Sequence, residues 1–250
     1  LPAVPQVAVI GPLSRDVVAG GAPRIGGGPW YAGRALGALG VDALVVAACG
    51  AEDEDAFRAE LDGIGVPFEL HVLDTTTAFS FSYDEAGARA MTVDAVAEPF
   101  APEVDADWVQ VTPLLRGDVV VPRAPHVLLD GHGLVRRPQL GPLQLDAEFD
   151  REMLRGVSIL KLSDEEAAVV GPVDVPELVV THGARGATVN GSHIAAEPVD
   201  ADPTGAGDMF AAGYLAARAD GAEPVEAGRS ATARVSKLLR DNLSLGERRP

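Results

Sequence analysis

Short apolar runs rich in β-branched residues alternate with helical stretches along most of this chain, and no other feature of the sequence constrains the fold as tightly. Residues 7–10, 43–48, 126–130, 158–161, 178–181 and 188–189 read as strands. Leu36, Leu39, Phe57 and Leu61 sit on helices between the early strands, and residues 225–239 read as the last helix. Strands that are apolar on both faces must be covered on both faces, so the pattern predicts an α/β fold: a three-layer α/β/α sandwich around a mostly parallel sheet. At 250 residues the chain can bury a large core, and residues 1–250 are expected to form one domain. Proline-bearing stretches at 99–105 and 138–142 read as surface loops, and there is no internal repeat.

One region departs from that pattern. Residues 77–83 and 89–94 alternate strictly between apolar and polar side chains around a small-residue turn at 84–88, which predicts a hairpin with one apolar face, spanning about 77–96. By itself the pattern reads as an edge hairpin packed on the core.

The chemistry concentrates late in the chain, in Asp202-Pro203-Thr204-Gly205-Ala206-Gly207-Asp208, where a glycine-rich turn opens into an apolar helix over residues 209–218. Gly205 and Gly207 let the backbone approach a ligand closely, and the first free amides of the helix favour a phosphate. An aspartate in an anion-binding turn opposes that charge, so Asp208 makes sense as a base that takes the proton of an attacking hydroxyl. The plainer alternative is that Asp208 caps the helix and the glycines only turn.

The whole heptad resembles the second signature of the PfkB carbohydrate kinases, the ribokinase-like family, and three further segments are similar to family elements in the family's order. Gly26-Gly27-Gly28-Pro29-Trp30-Tyr31 through Leu39-Gly40 resembles the N-terminal glycine pair and its helix; Lys161 to Ala167 resembles the Asn-x-x-Glu region; Thr181 to Ala187 resembles the Thr-x-Gly-x-x-Gly nucleotide loop. The resemblance implies a ribokinase-like sandwich with the 77–96 hairpin as a small lid. Only nine residues separate Asp16 from Gly26, so this lid is expected to be reduced, and lid-to-lid dimerisation into a homodimer is in doubt.

Roles carry over residue by residue. The resemblance implies Asp208 as the base with Gly205, Ala206 and Gly207 as the anion hole, Asp202 and Glu166 around magnesium, and Ser163, Thr181, Gly183 and Gly186 along ATP. A monovalent cation belongs to the same expectation. Glu166 adjoins Asp164 and Glu165 and is equally readable as a solvated carboxylate, and Ser163 stands where the family usually has asparagine. On the acceptor side the resemblance implies Asp16, Gly27 and Tyr31, and His132 and Arg136 where relatives carry an amide residue and an arginine. Tyr31 replaces an asparagine that contacts the sugar, so ribose is expected to fit poorly and a neutral pyranose or cyclitol better.

Other mechanisms are excluded more directly. The two lysines, Lys161 and Lys237, do not follow glycines at P-loop spacing, and no Gly-x-Gly-x-x-Gly follows a strand. The five histidines show no metal spacing, and Cys49, the single cysteine, permits no disulfide. A net charge of −17 argues against nucleic acid or an anionic membrane as partner. No apolar run approaches the roughly 20 residues of a membrane span, and a cytoplasmic home with ATP fits, although the chain begins at Leu1 and a removed leader stays open. The expected function is ATP-dependent phosphorylation of a hydroxyl on a small sugar or cyclitol. The alternatives are a non-catalytic sugar- or nucleotide-binding protein of this fold and a nucleoside or hydroxymethyl-pyrimidine kinase.

Overall fold

In the computed structural model the described residues are 5–83 and 89–241, so the expected hairpin turn at 84–88 lies outside them. The first half of the chain runs through β1 (Val7–Pro12), β2 (Ser14–Val18), β3 (Arg24–Gly26), α1 (Gly28–Leu39), β4 (Ala43–Gly50), α2 (Glu54–Asp62), β5 (Phe68–Leu73), β6 (Thr77–Tyr83), β7 (Arg89–Ala95) and β8 (Trp108–Val111). The second half adds β9 (His126–Asp130), α3 (His132–Val135), β10 (Gly141–Pro142), β11 (Ile159–Ser163), α4 (Asp164–Val170), β12 (Glu177–Thr181), β13 (Ala187–Val189), β14 (Ser192–Ile194), α5 (Ala206–Ala219) and α6 (Pro224–Arg240).

Nine strands form the large sheet in the order β14-β13-β12-β11-β9-β8-β1-β4-β5. Every pair from β12 to β5 is parallel, and only β13 and β14 run antiparallel at one edge. The period-2 geometry of the strands explains the layering. In β1, Val7 and Val9 point into a core shared with α1, α5 and α6, while Ala8 and Ile10 point into a second core on the opposite face. In β4, Val45 and Ala47 alternate in the same way with Val46 and Ala48. This is the double-sided burial that the apolar runs imply.

The second sheet has five strands, β10-β7-β6-β2-β3, and so draws on more of the chain than the 77–96 hairpin. The short connection from Asp16 to Gly26 is itself an antiparallel pair, β2 with β3, joined to β6 in parallel. The 138–142 stretch, read as a surface loop, lends β10 to the other edge. A two-residue strand ending in proline carries no periodic signal, which is why it reads as a loop. Phe79, Val93, Leu114 and Leu115 form a small core of their own beneath this sheet. No helix among the described residues is long and apolar enough to cross a membrane.

Candidate active site

The parallel strands β9, β11 and β12 end at Asp130, Ser163 and Thr181, on the edge of the sheet where α/β proteins gather ligands. α5 begins at this edge. Its N-cap, Gly205, adopts a left-handed φ of 75°, and a side chain there would run into the Tyr31 ring, so only glycine fits the turn. The first amides of α5 have no acceptor within the helix. Asp208 lies in this first turn, partly buried, and its carbonyl oxygen accepts from Gln110 Nε2 of β8 at 3.4 Å.

Four charged side chains act on the Asp208 carboxyl. Burial raises its pKa, and the negative charges of Asp130 and Glu166 push the same way, against the lowering influence of Lys161 and Arg136. Lys161, on β11, is 3% exposed and donates from Nζ to Asp130 Oδ2 at 2.9 Å. Its ammonium also lies against α5: a Cβ on Gly207 would stand 2.9 Å from Nζ. Burial would lower the Lys161 pKa, but Asp130, Glu166 and Asp208 outweigh it and hold the ammonium charged. At Asp130, burial alone would raise the pKa, and the facing positive groups, with Lys161 in direct contact, reverse the sign. Arg136 follows α3, bears electrostatically on Asp130, His132 and Asp208, and makes no ion pair with another described residue.

His132 sits between two carboxylates, with Nδ1 3.5 Å from Asp130 Oδ1 and Nε2 3.2 Å from Glu166 Oε1. Burial and then the Arg136 charge push its pKa down to about 4, so the ring is neutral at pH 7. Glu166 is 4% exposed and is no solvated carboxylate. Its Oε2 accepts from the Ser163 amide at 2.8 Å while the Ser163 hydroxyl accepts from the Glu166 amide at 3.2 Å, a capping box that starts α4.

The side chains whose ligand atoms converge among the described residues are Asp130, His132 and Glu166, all within 4.8 Å of one another. The expected pairing of Asp202 with Glu166 is not the one that converges. Asp202 turns Oδ1 onto its own loop and accepts from the Thr204 amide at 2.8 Å and its hydroxyl at 2.6 Å. With Asp130 Oδ2 and Glu166 Oε2 already engaged, the residues fit a magnesium ion that keeps its own water shell better than one stripped of it.

Among the residues expected to meet the acceptor, Gly26 leaves room for the Asp16 carboxylate, and at Gly27, with φ 96°, an added Cβ would stand 2.8 Å from the Pro12 carbonyl oxygen. Tyr31, 8% exposed, packs its ring on Gly205 and has its pKa raised by burial and then by Asp16, so it offers a hydroxyl donor. On the opposite flank, Thr181 Oγ1 donates to the Leu162 carbonyl at 3.3 Å, and Gly183 and Gly186 take left-handed φ values of 57° and 99° around a 3-10 turn. His182, in the same loop, bonds Asp164 Oδ1 at 2.5 Å and Thr188 Oγ1 at 2.7 Å.

Thus Asp208, Arg136, His132 and Glu166 share one electrostatic cluster with Lys161 and Asp130, and Asp16 and Tyr31 flank it. Lys161 and Asp130 were not picked out as site residues from the sequence. The available signal was a lysine inside an otherwise apolar strand.

Residues 140–238 match the pfkB family of carbohydrate kinases. Among solved structures, the chain superposes on a pyrophosphate-dependent kinase of the ribokinase family, complexed with a pyrophosphate analog and myo-inositol, with a TM-score of 0.79. The identity is 22%, over 94% of this chain and 95% of that one. A sulfate complex of a pyrophosphate-dependent kinase in the same family gives a TM-score of 0.78 at 22% identity, over 96% of this chain and 100% of that one. The nucleoside kinase of Methanocaldococcus jannaschii gives 0.67 at 16% identity, over 95% and 93% of the two chains. Motif order, fold and the match over residues 140–238 agree: the chain has the ribokinase fold, and its C-terminal part is similar to the pfkB carbohydrate kinases.

Proposed function

We propose that the protein transfers the terminal phosphoryl group of ATP to a hydroxyl of a small sugar or cyclitol, with Asp208 as general base. The observation that carries this reading is the placement of Asp208: a partly buried carboxyl with a raised pKa, in the first turn of α5, at an amide-rich glycine turn and faced by Lys161 and Arg136. A carboxylate poised nearer neutrality is a better proton acceptor than an ordinary one. The acceptor oxygen loses its proton to Asp208 as it forms the new O–P bond, the bond to the leaving phosphate breaks, and ADP carries away the electron pair. The amides of residues 205–207 and the fixed cation Arg136 stabilise charge on the transferring group. Glu166, with Asp130 and His132 beside it, would hold magnesium through its waters, and the ion would offset charge on the donor phosphates. Asp16 and the Tyr31 hydroxyl orient the acceptor.

Pyrophosphate is the second donor reading. It is favoured by the pyrophosphate dependence of two structural neighbours and by a transfer site that carries two protein cations, Lys161 and Arg136, able to grip bare phosphates. The purified protein with magnesium, given ATP or pyrophosphate and a panel of myo-inositol, hexoses, ribose and nucleosides, should yield a phosphorylated acceptor by ³¹P NMR. Product with one donor and not the other assigns the donor. Binding of acceptor without product from either donor would favour the non-catalytic alternative.

A further inference from the structure

The turn after β8, residues 114–118, holds a charged side chain that the transfer chemistry does not use: Arg116. Its base is rigid. Asp118, 4% exposed, turns Oδ2 to the amides of Leu114 and Leu115 at 2.9 and 2.8 Å, and Gly117 takes a left-handed φ of 80°. Both leucines are buried in the small core beneath the five-stranded sheet. Arg116 leaves this base with its side chain 19% exposed and reaches the end of α3.

There the guanidinium donates to four carbonyls. Nε bonds Leu134 at 2.9 Å, Nη1 bonds Glu148 at 2.8 Å, and Nη2 bonds Val135 and Asp146 at 3.4 and 3.3 Å. Nη2 also pairs with Asp146 Oδ1, whose second oxygen lies 3.1 Å from Arg137 Nε. The Arg116 amide donates to the Arg136 carbonyl at 2.8 Å. One residue thus holds three consecutive carbonyls, those of residues 134, 135 and 136. α3 has four residues, the last carbonyls of a helix lack partners within it, and the chain leaves α3 extended at Arg136, with φ −79° and ψ 119°. Residues 144–148 are tied to the same point, the Asp146 amide donating to Val135 and the Arg137 amide to Gln144, both at 3.0 Å. Arg136 is paired with no described carboxylate, so the backbone that carries it sets where its charge lies.

We propose that Arg116 is a positioning residue for phosphoryl transfer: by holding the carbonyls of residues 134–136 it aims the Arg136 guanidinium at the transferring group. The inference rests on the role given to Arg136 above, and a measurement made without any donor separates the two. A planar fork reaches carbonyls on two segments at once, which a lysine ammonium cannot, so Arg116→Lys keeps the charge and loses the geometry. A misplacement of about 1 Å in a group that acts on the transition state is enough to lower a rate by up to about 10².

Hydrogen exchange and a double-mutant cycle on the whole protein test it. In Arg116→Lys, amide exchange over residues 131–137 should rise about tenfold or more while β1 and β4 stay as protected as in the parent. At saturating donor and acceptor the same variant should lose about tenfold or more in kcat, with the acceptor KM within about threefold. In an Arg136→Gln background that loss should shrink to less than about threefold, because the group that Arg116 aims is gone. Arg151→Lys is the control for a merely structural role: Arg151 ties the carbonyls of Val170 and Pro172 at the far end of α4, at 3.0 and 2.9 Å, and the variant should lower Tm without lowering kcat. The proposal is overturned by unchanged exchange over 131–137, by full turnover in Arg116→Lys, by a loss that persists undiminished in the Arg136→Gln background, or by an equal loss of kcat in Arg151→Lys. Should Arg116→Lys fail to fold, Asp146→Asn, which keeps the arginine and removes the charge of its carboxylate partner, takes its place with an expected loss of about threefold or more and is judged by the same outcomes. No turnover by the parent with either donor would sink the kinase reading, and the exchange measurement then decides alone whether Arg116 holds residues 134–136.

Discussion

Asp208 carries opposite demands of stability and chemistry. A carboxyl whose pKa is raised in the folded state favours folding in its protonated form, so its contribution is fully present below the ordinary carboxylate pKa and is lost as pH rises through the folded value. Asp208→Asn removes that dependence. Chemical denaturation should therefore find the variant more stable than the parent at pH 8, on the order of 1 kcal/mol, with the difference shrinking at pH 5. Parental activity should fall on acidification at a pH above the usual carboxylate range, as the base protonates. At Lys161 the balance is different: Lys161→Met strands Asp130, which is 0% exposed, and should cost about 3–5 kcal/mol. The double variant with Asp130→Asn should recover most of that loss in the same denaturation measurement. Asp208 was legible as a candidate base because a glycine turn with an aspartate is a local pattern. Lys161 was not legible, since what sets it apart is what the fold brings beside it: Asp130 from another strand.

At the scale of elements, the buried strands were the readable ones. β1, β4, β9 and β11 are covered on both faces or nearly so and announce themselves as apolar runs. β5 is an edge strand with side chains largely intermediate or exposed, and β8 has only four residues, so neither leaves a periodic signal. Ser163, expected along the nucleotide, has a structural task that the sequence pattern did not announce: it caps α4, with Glu166 closing the box. Ser163→Ala should lower stability by about 1 kcal/mol and leave the donor KM unchanged. Thermal melting and donor saturation curves check the two halves of that expectation. A large rise in donor KM with no loss of stability would return Ser163 to the nucleotide.

The described residues build a nine-stranded sheet with the charged cluster at one edge and a separate five-stranded sheet. Early and late segments meet there: Tyr31 of α1 packs on Gly205, and Gln110 of β8 reaches the Asp208 carbonyl. Ligands that bridge these segments should stabilise the fold as a unit. A donor at 100 times its Kd with magnesium should add about 2.7 kcal/mol, which is roughly 5–10 °C in Tm for a chain of this size. The donor that produces the shift, ATP or pyrophosphate, is the one the site is built for. The central claim is phosphoryl transfer with Asp208 as base, and the most direct test is the initial rate of phosphorylated-acceptor formation by parent and Asp208→Asn, at matched acceptor and donor saturation. The account predicts a loss of about 10² to 10⁴ with donor binding retained, and a variant that turns over within about threefold of the parent would contradict it.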